Sequence, residues 1–139
     1  MTKFNRCKFK LSLVFGKCNN KYMTVKVNNL IQKPLDGRVD MELDLVLPEN
    51  VVIKTSGKNL KYDTKMNSKG EIIEDLYVKI ESISLDGFPL GERYIHQLIT
   101  MNTDDGNHVS TSYLGFNGEV VLEFAEDNAF FQVLKIKNL

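Results

Sequence analysis

The residues of this chain that could carry chemistry are few and lie far apart in the sequence. Its thiols and imidazoles are Cys7, Cys18, His96 and His108. No two of them have the short spacing of a zinc site. A catalytic serine or cysteine would need a neighbouring histidine and a third group to orient it, and the chain contains no G-x-S-x-G element and no phosphate-binding glycine loop. The sequence therefore predicts no zinc site, no catalytic residue and no enzymatic activity.

Hard oxygen ligands are concentrated in one turn, residues 102–107. Asp104, Asp105 and Asn107 offer carboxylate and amide oxygens there, which are the ligands that calcium prefers. Aligning Gly106 with the glycine of an EF-hand loop leaves the first and last positions of that loop without carboxylates, so an EF-hand is excluded. Two interpretations remain: an irregular loop site for calcium, or a polar turn whose side chains bond their own backbone. Calcium is the one cofactor that this pattern leaves open.

Carbohydrate recognition would use a different set of residues, an exposed aromatic ring beside amide and carboxylate groups. The chain has no tryptophan, so a tyrosine would supply the ring, and the candidates are Tyr62, Tyr77, Tyr94 and Tyr113. The alternative for each is a ring that fills a strand face with its hydroxyl at the edge. The tyrosine that follows the Asn- and Asp-rich turn is the strongest candidate. The predicted ligand-binding residues are therefore Tyr113, Asn117, Asp104, Asp105 and Asn107.

Two segments near the start of the chain carry alternating charges of opposite sign. From position 6 to position 10 every second residue is basic. In the segment 39–45 every second residue is acidic. Because successive side chains of a strand face opposite sides, each segment would form a strand with one apolar face and one charged face. We predict that strand 5–15 lies beside strand 38–47 in one sheet, with the apolar faces on the core and the charges paired toward solvent.

The basic segment has a functional alternative, because a phosphate-binding stripe needs only clustered positive charge. Its members here would be Arg6, Lys8, Lys10 and Lys26. Aromatic residues for base stacking should then lie among these charges, but Phe9 falls on the opposite, apolar face. The residues favour the structural interpretation, in which the acidic strand neutralises the basic one. Nucleic-acid binding stays as an alternative function.

Length and composition are those of one ordinary soluble domain. The 139 residues are 42% hydrophobic, and 18 basic residues balance 18 acidic ones. A chain of this size can bury a core without metal or disulfide staples, and zero net charge gives no general attraction to nucleic acid or anionic lipid. No apolar run approaches the ~20 residues of a membrane helix. We expect a single domain, 1–139, made in the cytoplasm without a signal peptide, and the residues leave open whether Cys7 and Cys18 are bonded.

Turn-forming residues divide the chain into short runs rich in β-branched and aromatic residues. A one-residue change of phase near Glu81-Ser82 predicts a β-bulge. Residues 90–100 fit either a short helix or an extended strand. About nine strands with short loops predict an all-β fold in which two antiparallel sheets pack as a β-sandwich. The predicted strands are 5–15, 21–28, 38–47, 51–55, 59–63, 71–85 with a break, 108–115, 118–125 and 129–137.

Two segments of the second half resemble a known family. Residues 83–90, ISLDGFPL, contain an I-x-L-D-G turn, and residues 112–124 enter a strand through F-N-G. Together they are similar to the C-terminal part of galactose-binding-like jelly-roll modules, which occur in carbohydrate-binding domains and in bacteriophage virion proteins. The resemblance implies a sandwich of the jelly-roll type, and a role in binding carbohydrate or in building a viral particle.

The sequence as a whole favours a non-catalytic binding or structural module. The first hypothesis, which follows the resemblance, is a component of a phage particle or a carbohydrate-binding-like accessory domain. Its partners would be other structural proteins, further copies of the chain or carbohydrate, and no membrane. One alternative is a small intracellular effector or inhibitor that binds a host protein. The other is nucleic-acid binding through the basic N-terminal strands.

Overall fold

Strands account for most of the chain that the structure describes. The computed structural model describes residues 6–46, 50–59, 61–91, 95, 99–103, 113–115 and 117–124. Within these ranges every strand pair is antiparallel. The strands are β1 (Arg6–Gly16), β2 (Thr24–Val27), β3 (Leu30–Gln32), β4 (Arg38–Val46), β5 (Val51–Ser56), β6 (Thr64–Met66), β7 (Ile72–Asp75), β8 (Tyr77–Leu85), β9 (Phe88–Pro89), β10 (Ile99–Thr103), β11 (Tyr113–Leu114) and β12 (Gly118–Leu122).

Two sheets form a sandwich. Sheet I has the strand order β11-β8-β1-β4, with β9 paired to β8, and sheet II has the order β10-β12-β5-β2-β3. A separate ribbon consists of β6 and β7. The chain crosses between the sheets after β1, after β3 and after β4, as it does in jelly rolls. The predicted antiparallel two-sheet β-sandwich of the jelly-roll type is confirmed.

The core lies between the two sheets. Phe9 of β1 contacts Phe124, which follows β12, edge to face with ring centroids 6.0 Å apart. Burying each large apolar side chain of this kind stabilises the fold by about 1.5–3 kcal/mol. The largest fully buried side chains are Phe9, Phe124, Leu11, Leu13, Met23, Leu45, Ile53, Leu76, Ile83 and Leu85.

The two charged segments pair as predicted. In the register of β1 with β4, Lys8 lies opposite Asp44 and Lys10 opposite Glu42. The Glu42 carboxylate forms ion pairs with both lysines, at 3.3 Å from Lys8 Nζ and 3.8 Å from Lys10 Nζ. Exposed ion pairs of this kind contribute at most about 1 kcal/mol each. They matter more for register, because a slip of one residue would turn the charges toward the core.

The predicted bulge in β8 is also confirmed. Ser12 of β1 lies opposite Ser82, but the next residue, Leu13, lies opposite Ile80, so Glu81 is an extra residue in β8. The bulge keeps both Ile80 and Ile83 buried although their spacing is odd. It also leaves the Glu81 side chain on the solvent side of the sheet.

The strand predicted at 59–63 is wrong. Asn59 and Asp63 instead close a turn: the Asp63 carboxylate accepts the Asn59 N–H at 2.7 Å, and the Asn59 carbonyl accepts the Asp63 N–H at 2.8 Å. Side chains that bond nearby backbone in this way compete with strand pairing. Strand β6 therefore begins only at Thr64.

The short strand β3 was not predicted. It follows Asn28 and Asn29, whose φ angles of 48° and 68° are those of a two-residue hairpin turn that suits asparagine. The hairpin pairs β3 with β2 at the edge of sheet II. The polar Asn-Asn dipeptide was the signal for this turn.

Several predicted elements fall wholly or partly outside the described residues. Within 90–100, the Ile95 N–H donates to the Gly91 carbonyl at 3.1 Å, the i to i−4 pattern of one helical turn, and β10 starts at Ile99. The remainder of the predicted helix, residues 108–112 and strand 129–137 are not described. Among the described residues, no helix is both long and apolar enough to cross a membrane.

Candidate functional site

The candidate site is the face of sheet I that points away from the core, hereafter the outer face. The register places Ser12 of β1 beside Ser82 of β8, with Ser84 two residues further along β8. On the other side of β1, β4 contributes Asp40 and Glu42. Because serine is short, these three serines form a low strip beside longer charged side chains.

An aromatic ring stands at one end of the outer face. Tyr113 of β11 pairs with Lys79 of β8, and its ring stacks on Tyr77 with centroids 4.6 Å apart and planes 24° apart. The ring remains 40% exposed. Its hydroxyl donates a hydrogen bond to Asp75. Burial of the hydroxyl, together with that hydrogen bond, raises the pKa of Tyr113 well above its ordinary value, so the phenol stays a donor.

Tyr77, the lower ring of this stack, rests on a glycine. Gly16 lies opposite Tyr77 in the pairing of β1 with β8. A Cβ atom at Gly16 would come within 2.0 Å of Tyr77 Cε2 and 2.6 Å of the Asp75 carbonyl oxygen, so only glycine leaves room for the ring. The glycine at the end of β1 therefore determines how closely the two stacked tyrosines lie against the sheet.

Asp75 anchors the stack through a buried ion pair. Its carboxylate accepts hydrogen bonds from Lys58 Nζ at 2.7 Å and from the Thr64 hydroxyl at 2.6 Å, besides that of Tyr113. The side chains of Lys58 and Asp75 are only 4% and 9% exposed. Burial alone would raise the pKa of Asp75, but the hydrogen bonds from Lys58, Thr64 and Tyr113 outweigh it and lower that pKa. The Asp75 carboxylate therefore stays ionised and is fully engaged.

Asn117 holds the lysine of this pair in place. Its Oδ1 accepts the Lys58 N–H at 2.9 Å, and its Nδ2 donates to the Lys58 carbonyl at 2.7 Å. Lys58 Nζ also donates to the Gly115 carbonyl at 2.8 Å. Two of the predicted ligand-binding residues, Tyr113 and Asn117, are thus brought together around the Lys58–Asp75 pair. The amide of Asn117 is used within the protein.

Charged side chains cross the middle of the outer face as a connected group. Arg38 of β4 donates to both carboxylate oxygens of Glu81, at 2.9 and 2.8 Å, and through Nε to Asp40 at 3.2 Å. The Ser12 hydroxyl donates to Asp40 at 2.6 Å. We name these residues the ionic strap. The Ser12 hydrogen bond lowers the pKa of Asp40, and the Arg38 hydrogen bonds lower that of Glu81, so both carboxylates stay ionised.

A shallow concavity lies beyond the strap. It encloses about 360 Å³, within the size range of small-ligand pockets. Its polar lining consists of Lys10, Ser12, Asp40 and Glu42. These groups come from paired positions of β1 and β4, so the same register that pairs the charges also shapes the concavity.

Of the other predicted candidates, Tyr77 lies in this region, Tyr62 lies elsewhere, and the rest are not described. Tyr62 is 60% exposed in the turn before β6, which is not part of sheet I. Asp104, Asp105 and Asn107 lie outside the described residues, as do Tyr94, His96 and His108. Lys58 and Asp75 were missed by the sequence analysis, since no local pattern marks two residues that meet only through the fold.

The described residues contain no grouped set of carboxylates for a metal ion, and the buried carboxylate of Asp63 is already occupied. Asp63 is 2% exposed, but its oxygens already accept Lys21 Nζ at 2.8 Å, the Asn59 N–H at 2.7 Å and Asn19 Nδ2 at 3.2 Å. The hydrogen bond from Lys21 is the largest of the effects that lower the pKa of Asp63. In the described part of the chain, no three His, Cys, Asp or Glu side chains are grouped to hold a metal ion. Cys7 and Cys18 are buried thiols, and no disulfide joins them.

Comparison with known proteins adds a likeness in fold. The chain matches no protein-family model, and it matches no curated protein. It is similar to vCBM60 in selenomethionine form, from work on circular permutation between two families of calcium-dependent carbohydrate binding modules (TM-score 0.49, 10% identity, 84% of this chain and 90% of that one). It is also similar to vCBM60 in complex with galactobiose (TM-score 0.42, 7% identity, 84% and 97%). At TM-scores below 0.5, the ligand of this chain has to be argued from its own residues.

Proposed function

We propose that this chain is a non-catalytic carbohydrate-binding module whose ligand lies on the outer face of sheet I against Tyr113. The observation that carries the proposal is the exposed Tyr113 ring, which is held by Tyr77 on one side and by Asp75 at its hydroxyl. A sugar ring presents apolar C–H groups that pack on an aromatic surface. Because the ring is fixed before the ligand arrives, little conformational entropy is lost on binding.

The polar groups of the outer face suit sugar hydroxyls. A carbohydrate site needs a few donors and acceptors in fixed positions beside the apolar platform. The ionic strap supplies them, since Arg38 holds the carboxylates of Asp40 and Glu81 in one orientation. Ionised acceptors form stronger hydrogen bonds than neutral ones.

The same geometry argues against nucleic acid as the ligand of this face. Lys8 and Lys10 of the basic strand both lie within ion-pair distance of Glu42. Phosphate binding would have to displace these contacts, and it would draw no help from a chain of zero net charge. A neutral ligand meets no such cost.

A glycan array with matched tyrosine variants tests the proposal. We expect the wild-type chain to bind at least one class of glycan, with galactobiose included among the probes. Tyr113→Ala should lose that binding by about tenfold or more, about 1.4 kcal/mol. Tyr62→Ala removes another exposed tyrosine, in a turn that is not part of sheet I, and should bind like the wild type. Absence of any glycan ligand, or equal binding by Tyr113→Ala, would contradict the proposal.

The resemblance of residues 83–90 and 112–124 to modules of phage virions supports a finer form of the proposal, in which the module is carried on a viral particle. Mass spectrometry of purified particles tests this form: finding the chain there at stoichiometric amount supports it, and finding it only in the lysate rejects it. Stoichiometric capture of one host protein would instead favour the intracellular effector or inhibitor.

Calcium belongs to the proposal only through Asp104, Asp105 and Asn107, because the described residues contain no group of three metal-ligating side chains. We expect that a calcium site at this turn would raise the melting temperature when calcium is added. The matched variant, Asp104→Asn with Asp105→Asn, should abolish the rise. A melting temperature independent of calcium removes this part of the proposal and leaves the outer face unaffected.

A further inference from the structure

We infer that the outer face holds an extended stretch of about three sugar units, running from Tyr113 across the serine strip to the concavity at Lys10 and Glu42. The inference rests on the proposed function and adds to it the length of the ligand and a second, distant subsite. It makes Glu42 a ligand-binding residue that contributes only when the sugar chain is long enough to reach it.

The strand pairing sets the length of this path. One row of paired residues, Tyr113, Lys79, Val14 and Arg38, crosses all four main strands of sheet I. With neighbouring strands about 4.8 Å apart and residues about 3.4 Å apart along a strand, the centre of the concavity lies about 15 Å from Tyr113. A single sugar ring on Tyr113 cannot span that distance.

The floor between the two ends is polar, and the ionic strap crosses it from β4 to β8. Ser82 and Ser84 lie on the path, and no side-chain hydrogen bond within the described residues engages either hydroxyl. Next to them, Arg38, Asp40 and Glu81 are fixed by one another in the ionic strap. A linear chain could therefore cross the strap and lie on the serines, with donors and acceptors along its length.

The far end offers groups that can still accept a ligand. Lys10 Nζ and a Glu42 oxygen are 3.8 Å apart, which is longer than a hydrogen bond, and about half of each side chain is exposed to solvent. A sugar hydroxyl placed in the concavity could bridge the two groups. The ligand would thereby gain a charge-assisted hydrogen bond without breaking a buried contact.

Isothermal titration with linear β-1,4-linked glucose, xylose and galactose oligomers of increasing length tests the inference. For an oligomer class that binds, we expect affinity to rise by about tenfold between one and three units and then to level off. Glu42→Gln should lower the affinity for the trimer by about tenfold and leave that for the monomer unchanged. Glu119→Gln is the matched control, because Glu119 pairs with Lys54 at 3.7 Å on the opposite sheet, and it should leave both affinities unchanged.

The possible failures separate cleanly. If the monomer binds as tightly as the trimer, or if Glu42→Gln has no effect on the trimer while Tyr113→Ala does, the extended path is wrong and the proposed function stands. If Glu42→Gln weakens monomer and trimer equally, the distant subsite is also wrong. If no oligomer binds and the glycan array finds no ligand either, both the inference and its basis are rejected.

Discussion

Arg38 on β4 and Glu81 on β8 are joined by two parallel hydrogen bonds, 2.9 and 2.8 Å long, across the full width of β1. Glu81 is the extra residue of the bulge in β8, so the arginine holds the one side chain of that strand that strand pairing does not position. The same guanidinium reaches Asp40 on its own strand. One residue therefore fixes both carboxylates that line the middle of the outer face.

Removing that arginine should give a stability defect that depends on pH. The ordinary pKa values of Glu81 and Asp40, 4.5 and 3.8, are both lowered in the folded protein. Groups of this kind stabilise the fold above their unfolded pKa and lose the effect as pH falls through the folded pKa. We expect Arg38→Met to lower the free energy of unfolding at pH 7, with the difference from wild type shrinking between about pH 4.5 and pH 2.

Urea denaturation at pH 7 and at pH 2.5 measures this dependence. Added salt at pH 7 should reduce the defect as well, because the groups are exposed and therefore screened. A difference between Arg38→Met and wild type that is the same at both pH values would contradict the assignment.

The buried pair under Tyr113 should be far more sensitive. Lys58→Met leaves the Asp75 charge buried without its cation, and we expect the free energy of unfolding to fall by about 3 kcal/mol. This loss is at the lower end of the range of about 3–5 kcal/mol for broken buried ion pairs. The reason is that the hydroxyls of Thr64 and Tyr113 still donate hydrogen bonds to the carboxylate. Combining Lys58→Met with Asp75→Asn should recover part of the loss, since no charge is then left unpaired.

Lys69→Met serves as the control, because Lys69 is exposed in the turn between β6 and β7. It should unfold at the same urea concentration as the wild type. Equal stability of Lys58→Met and Lys69→Met would show that the Lys58–Asp75 pair contributes nothing.

A substitution at Gly16 can displace the stacked rings of Tyr77 and Tyr113. Gly16→Ala places a Cβ atom against Tyr77 and the Asp75 backbone, so the stack of Tyr77 and Tyr113 has to move. We expect a weaker glycan affinity, by about tenfold, although Gly16 itself touches no ligand. Gly91→Ala is the control, since no atom lies within 4 Å of its added Cβ. Unchanged glycan affinity in Gly16→Ala would mean that the position of the Tyr77–Tyr113 stack does not affect binding.

The two cysteines should behave as protected thiols. Both are buried. Burial is the main cause that raises the pKa of Cys18, and the negative charge of nearby Glu74 raises it further. Reaction needs the thiolate and access to it. We expect a thiol reagent to label neither cysteine at pH 7 in the native protein and both after denaturation. Rapid labelling of Cys18 in the native state would contradict the packing described for it.

Parts of the fold were predictable because they leave a local trace in the sequence. Alternating charges of opposite sign predicted the pairing of β1 with β4, and a change of phase predicted the bulge at Glu81. The turn at 59–63 was mistaken for a strand, because two side-chain to backbone hydrogen bonds, and not the apolar pattern, decide its conformation.

Some residues of the candidate site could likewise be predicted from the sequence, and others could not. Tyr113 was a candidate because it follows the Asn- and Asp-rich turn 102–107, and Asn117 because it offers an amide close to that ring in the sequence. Their anchor, Lys58 with Asp75, could not be predicted, since the two residues are 17 positions apart and no local pattern links them. The outer-face register that brings Ser82 beside Ser12 is likewise a property of three strands together.

The most direct test is to map a bound glycan onto the two sheets by NMR. Amide chemical shifts would be followed during titration with the glycan that the array identifies. We predict that the shifts cluster at Tyr113, Ser82, Ser12 and Lys10 on sheet I. Shifts confined to Lys54 and Glu119 on the opposite sheet, or the absence of shifts at Tyr113, would contradict the assignment of the outer face as the carbohydrate-binding site.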